Sequence, residues 1–192
     1  TLATSATGGV NLNLLDPDNS GVTATAITAT TSGNITVEST EGGDGSGTFL
    51  FITVTAANGA INLSATEGNI TARDVSTAAT SGQSITITVS QADHLFTHDS
   101  GAIVSDDGTI TLIADNIDLS GGTIASDAAD VRLRPNDAAQ NIQVGIGATD
   151  NATNLGLTDV ELNTITTAAT HAIVVGQSTV TGTISVVGAL NV

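Results

Sequence analysis

The segment Asp16-Pro-Asp18-Asn-Ser20-Gly21 carries residue types that could hold a cation. Oxygen-bearing side chains stand at its first, third and fifth positions and glycine at its sixth, the spacing with which a calcium loop begins. Calcium is a hard ion that takes carboxylate and carbonyl oxygens. An EF-hand loop closes with a bidentate acid at position 12. Here that position is Ile27, which cannot coordinate. Asp16, Asp18 and Ser20 are therefore either an Asx-rich turn or a calcium site completed by a neighbouring part of the chain. The turn is the leading reading, and calcium is the one cofactor the alternative would bring.

Other candidate chemistry is weaker. Gly42-Gly-Asp44-Gly-Ser-Gly47 resembles one calcium-binding nonapeptide repeat. Such sites are shared between adjacent copies, and a single copy reads as a flexible loop. Asp106-Asp107-Gly108 reads as a turn. His94 and His98 stand four apart, flanked by Asp93 and Asp99. On a helix they would share a face and could hold zinc, but Leu95-Phe-Thr97 between them reads as loop or extended chain. His171 has no partner visible in sequence.

Nucleophilic catalysis needs an activated Ser, Cys or Lys. The chain has no Cys and no Lys, and no Gly-x-Ser-x-Gly elbow. A glycosidase needs two carboxylates in a cleft, and 19 acids offer too many pairs to single one out. A polysaccharide lyase would need calcium and a basic proton acceptor, for which Arg73 is the leading candidate. Arg132 and Arg134 share parity on one strand and are expected to pair with acids on an outer face. No catalytic or cofactor-binding residue is assigned, and the chain is not expected to be an enzyme.

The charge balance narrows the partners. Three arginines against 19 acids give a formal net charge of −16. Phosphate backbones would be repelled, so no nucleic-acid partner is expected. Anionic membranes are disfavoured too, and no apolar run approaches the ~18 residues of a membrane span. Met is absent, so the chain is expected to be processed or to be a piece of something longer. With Phe49, Phe51 and Phe96 as its only aromatics, the core must come from Ile, Val, Leu and Ala. Such residues suit narrow layers of pleated strand.

The element that must position these residues is a repeated one. Glycine, one residue, an aliphatic, one residue and often another aliphatic recur at Gly33-Asn-Ile35-Thr-Val37, Gly59-Ala-Ile61-Asn-Leu63, Gly68-Asn-Ile70, Gly108-Thr-Ile110-Thr-Leu112, Gly122-Thr-Ile124 and Gly182-Thr-Ile184-Ser-Val186. Each unit is a turn and a short strand with one apolar face. Such a unit cannot bury that face alone, so copies must stack.

The spacing sharpens at Ile103, Ile110, Ile117, Ile124 and Val131, which are seven apart. A heptad can also mean a coiled coil. Gly108, Gly121 and Gly122 would each cost roughly 1 kcal/mol inside a helix. The local alternation Ile110-Thr-Leu112 and Val131-Arg-Leu133 has period two, as strands require. The expectation is an all-β, right-handed parallel β-helix, a β-solenoid of roughly 21 or more residues per coil. Eight or nine coils would make a rod of about 40 Å at ~4.8 Å per strand.

Along the chain, strands are expected at Val10–Leu14, Val22–Ile27, 34–38, 49–56, 60–65, 69–75 and 84–90. Residues 1–192 are expected to form one solenoid domain, either on its own or as one segment of a longer or polymeric fibre. Residues 135–170 break the cadence as an irregular insertion. There Leu155, Leu162 and Ile165 have near-helical spacing, with Thr158 as N-cap and Glu161 three later, so a short helix is admitted. The C-terminal Leu190-Asn-Val192 offers no polar cap, which predicts continuation or head-to-tail packing.

Val131-Arg-Leu-Arg-Pro135, Ile142-Gln-Val-Gly145, Leu155-Gly-Leu-Thr-Asp-Val-Glu-Leu-Asn-Thr-Ile165, Ile173-Val-Val-Gly176 and Gly182-Thr-Ile-Ser-Val186 together resemble a module of filamentous-haemagglutinin-like bacterial surface exoproteins. The resemblance covers residues 100–192; the first hundred match only in style. It implies a parallel β-helix, an extracellular or cell-surface location, and a role in adhesion or biofilm, and it transfers no catalytic residue. The expected function is thus an extracellular adhesive or structural β-helix, a cell-surface adhesin segment or a subunit of a fibre assembled by end-to-end stacking. Its partners would be copies of itself or further repeats, and glycans or cell surfaces. The alternatives are a carbohydrate-active β-helix enzyme (lyase or hydrolase) and an ice-binding solenoid. The last is suggested by Thr53/Thr55, Thr86/Thr88, Thr109/Thr111 and Thr179/Thr181, although Thr is simply a good outward strand residue.

Overall fold

The computed structural model describes residues 1–42, 45–78, 82–179 and 181–192. The chain is nearly all β, 51% strand and 2% helix, wound as a β-solenoid of about 5 turns with about 25 residues per turn. The first coils contain β1 (Leu2–Ala6), β2 (Val10–Asp16), β3 (Val22–Ala29), β4 (Ile35–Glu41), β5 (Thr48–Ala56), β6 (Ile61–Ala65) and β7 (Asn69–Thr77). Next come β8 (Ile85–Val89), β9 (Leu95–Thr97), β10 (Ala102–Ser105), β11 (Ile110–Ile113), β12 (Asn116–Asp118), β13 (Thr123–Ser126) and β14 (Val131–Arg134). The last part holds β15 (Asn141–Val144), β16 (Asn154–Leu157), helix α1 (Asp159–Leu162), β17 (Ile165–Thr167), β18 (Ile173–Val175) and β19 (Ile184–Val186).

One face is a seven-stranded parallel sheet in the order β18-β14-β11-β8-β6-β4-β2. Its inward positions make two aliphatic ladders. Val10, Ile35, Ile61, Ile85, Ile110, Val131 and Ile173 stack in register. Beside them run Leu12, Val37, Leu63, Ile87, Leu112, Leu133 and Val175. Burying each such side chain contributes about 1.5–3 kcal/mol, which no isolated strand could gain.

The other large sheet runs β1-β3-β5-β7-β10-β13-β17. Its long strands turn a corner. Inward residues alternate up to Ala24, Phe51 and Ala72, then two outward residues intervene (Thr25-Ala26, Ile52-Thr53, Arg73-Asp74) before Ile27, Val54 and Val75 face in again. One coil further on the corner opens into a loop at 98–101, and the single strand becomes β9 and β10, both paired with β7. Each coil therefore has three inward faces, the triangular section that seven-residue sides imply.

The 21-residue spacing holds only for some steps: Phe49 with Ile70, Phe96 with Ile117, Ile103 with Ile124 and Ile110 with Val131. Other steps are longer, 25 residues from Val10 to Ile35 and 27 from Val22 to Phe49, because loops such as 17–21 lie between strands of seven to nine residues. The expected eight or nine coils are accordingly about 5. Seven stacked strands span ~30 Å at ~4.8 Å per step, shorter than the expected rod. Strand β1 was not anticipated from sequence.

After β14 the chain leaves the coil. Val131 pairs next with Ile173, so residues 135–172 fill a single step. Here the sheet order is β16-β15-β19, out of chain order, and β16 packs against β12. Helix α1 follows with a reciprocal capping box: Glu161 N donates to Thr158 Oγ1 at 3.3 Å, and Thr158 N donates to Glu161 Oε2 at 2.9 Å. The same Glu161 accepts the Leu119 N–H at 3.2 Å, tying the helix to the end of β12.

Candidate functional site

The corner between β2 and β3 holds the sequence-predicted cation ligands. Asp16 is the last residue of β2 and is buried, whereas Asp18 and Ser20 are exposed in the following turn. Asp16 Oδ2 accepts the Gly21 N–H at 2.6 Å, and Asp16 Oδ1 accepts Ser20 Oγ at 3.4 Å. Asp18 accepts the Ser20 N–H at 3.3 Å. Hydrogen bonding to Ser20 holds the Asp18 carboxyl below the usual carboxylate range. The three residues thus make an Asx turn, with φ of 57° at Asn19 and 83° at Gly21. What sequence reading missed is Glu41. It pairs in register with Asp16 from the next coil and is also buried. Their separation of 25 residues concealed it. Among the described residues, no group of three or more His, Asp and Glu converges as a metal cluster. Asp44, in the glycine-rich segment at 42–47, lies outside the described residues.

Beside this corner an open groove of about 440 Å³ crosses the coils, lined by Gly21, Thr48, Leu50, Thr71, Arg73 and Asp99 among others. Arg73 Nε and Nη2 donate to the two Asp99 oxygens at 2.9 and 2.8 Å. This fork lowers the Asp99 pKa and raises that of Arg73. Arg73 is therefore held protonated, the opposite of what a lyase base requires.

The remaining candidates separate in space. His98 is fully buried, with Nδ1 2.8 Å from Ala72 O and Nε2 3.1 Å from Thr123 O. It bridges three coils through main chain. His94 sits beside Gly45, in a different corner. Arg132 pairs with Asp130 at 3.0 Å on the outer face, as expected. The Ala172 N–H it accepts, with Arg132 adding, keeps the Asp130 carboxyl low. Arg134 lines a second groove with Arg132 and Gln177. The Thr columns are broken: Thr36, Asn62, Thr86, Thr111 and Arg132 follow one another on the outer face, and Thr53 stands opposite Asp74.

Much of the Asx content has a structural task. Asn34 Oδ1 accepts Ala60 N, Asn69 Oδ1 accepts Leu95 N, Asp74 Oδ1 accepts Ala102 N and Asn141 Oδ1 accepts Thr183 N. Each satisfies a main-chain donor on the next coil where the ladder is interrupted at a corner. Where β16 meets β12, Asp150 does the same for two strands at once. Its carboxylate accepts Gly156 N at 2.6 Å and Ile117 N at 3.2 Å. Burial, opposed by those two bonds, pushes the Asp150 carboxyl up to about 6.

At the C-terminal end the apolar interior is open. A groove of about 380 Å³ is lined by Val144, Leu162, Ile173, Val175, Leu190 and Val192. Ile184, Val186 and Val192 are 58%, 62% and 64% exposed. The strands β17, β18 and β19 stand at the edges of their sheets here.

Comparison with protein-family models, curated proteins and solved structures finds no match to this chain. The class of protein is therefore the one its coils define, a β-solenoid.

Proposed function

We infer that the chain is a structural or adhesive β-solenoid of an extracellular surface, working as a stiff rod extended by further coils stacked on its open end. The observation that carries this reading is the unpaired apolar end. The inward ladders stop at Ile173 and Val175, and Ile184, Val186 and Val192 lie exposed around them. Exposed apolar area with free parallel strand edges is the surface that another coil buries. Whether that coil belongs to the same chain or to a second copy, the contact is heterologous and does not close, so it extends an axis. The resemblance of residues 100–192 to filamentous-haemagglutinin-like surface exoproteins supports the same reading.

Adhesion would come from the long outer faces. The groove at Thr48, Thr71, Arg73 and Asp99 offers hydroxyl and guanidinium groups suited to a glycan. One weak contact per coil sums by avidity along a rod. Sedimentation velocity over a range of concentrations tests the end contact. Wild type is expected to form larger species as concentration rises, and Ile184→Asp with Val186→Asp to remain monomeric. A wild type that stays monomeric throughout overturns stacking between copies at this end.

A further inference from the structure

We propose that Asp16 and Glu41 form a divalent-cation site, of calcium type, that fastens the first two coils together at one corner. Their backbones pair in register on adjacent strands of the seven-stranded sheet, about 4.8 Å apart. Both are buried, at 3% and 2% exposure. Their carboxylates flank a single point: a Cβ added to Gly47 would lie 2.8 Å from Glu41 Cδ and 3.0 Å from Asp16 Oδ2. A Cβ on Gly68, on the next coil, would lie 2.6 Å from Glu41 Oε1. Two glycines on successive coils thus let the Glu41 carboxylate lie close against the main chain, where a side chain at either position would collide with it.

One oxygen in this corner points to a ligand. Glu41 Oε2 accepts the Gly47 N–H at 2.9 Å, but Glu41 Oε1 is buried and, among the described residues, accepts no hydrogen bond. Burying an unsatisfied carboxylate oxygen is costly. Among the described residues no basic side chain pairs with either acid; Arg73, in the adjoining groove, is committed to Asp99. In a chain of net charge −16, a bound cation would balance two stacked carboxylates and take up the unpartnered oxygen. Calcium suits the corner because it accepts carboxylate oxygens together with carbonyls and water in irregular geometry. Glu41 thereby takes the closing role that Ile27 cannot, from a neighbouring coil. Asp18 and Ser20 brace Asp16 from the solvent side. The site does not depend on end-to-end stacking.

Calorimetric titration of the chelator-treated protein with calcium chloride, paired with thermal unfolding in calcium and in chelator, tests this. The expected result is saturable binding at one site and a higher Tm in calcium. Glu41→Gln should remove both effects, and Asp106→Asn, in a remote turn, should retain both. If Glu41→Gln fails to fold, Asp16→Asn serves as the second variant. Absence of calcium heat in wild type overturns the proposal. So does an equal Tm shift in wild type and Glu41→Gln, which would mean diffuse binding to an acidic surface.

Discussion

Arg73 on one coil and Asp99 on the next are joined by two nearly parallel N–H···O bonds of 2.9 and 2.8 Å. They sit where the wall turns a corner and β7 gives way to β9 and β10. The adjacent Asp74 accepts the Ala102 N–H across the same gap. Both partners of the ion pair are about a third exposed, at 36% and 39%, so solvent screens it. Arg73→Ala is expected to lower stability slightly in low salt and hardly at all in 1 M salt on the Debye argument, read by urea denaturation. The fork depresses the Asp99 pKa. Its contribution is thus present above the usual carboxylate range and lost as pH falls through the lowered value. A large, salt-independent loss would mean that Arg73 packs rather than pairs.

Asp150 behaves in the opposite sense. Its folded pKa, about 6, lies above the usual 3.8. Between those values the folded state keeps a proton that the unfolded chain has released, so stability falls as pH rises through this window. Asp150→Asn keeps an oxygen for the Gly156 N–H, gives up the acceptor of the longer Ile117 N–H bond, and has no charge to bury. The variant is expected to be no more stable than wild type near pH 4 and to gain on it steadily up to pH 7. Chemical denaturation at several pH values measures this, and parallel profiles would contradict it.

His98 tests the interior. Its two nitrogens reach carbonyls of Ala72 and Thr123, on the coils either side. His98→Leu has a similar apolar body but no polar atoms. It is expected to cost ~1–3 kcal/mol, the price of buried polar groups left unsatisfied. Equilibrium unfolding gives the figure, and an unchanged midpoint would assign those carbonyls other partners.

Coil spacing is most exacting at the glycine turns. A Cβ on Gly108 would overlap the Gln83 carbonyl of the coil below and lie 2.8 Å from Ser84 N. Backbone cannot swing aside as a side chain does. Gly108→Ala is therefore expected to destabilise by ~1–3 kcal/mol, as overpacking does. Gly8→Ala, with nothing within 4 Å of the new carbon, should be close to neutral. Thermal unfolding of the pair decides whether tight stacking, rather than loss of glycine itself, is the cause.

These contrasts also mark what could be read from the sequence. The inward ladders were legible, since Ile35, Ile61, Ile110 and Ile124 follow a glycine at a constant offset and alternate with polar residues. The Thr158–Glu161 capping box was legible because its parts are three residues apart. The partner of Asp16 was not. Glu41 reaches it only after a full turn, and turn length varies with loops that carry no periodic signal. The β16-β15-β19 order was hidden for a related reason: strand alternation gives each strand's inward face but not its place in the stack. The zinc pairing of His94 and His98 was disfavoured by the extended reading of Leu95-Phe-Thr97, but nothing in the spacing told that His98 turns inward to carbonyls on the coils either side.

Electron microscopy of the purified protein, with fibre diffraction from the same material, tests the central claim most directly. The account predicts filaments that lengthen with concentration and a reflection along the filament axis at ~4.8 Å, the spacing of strands stacked across it. Short isolated rods at every concentration, with no such axial reflection, would contradict it.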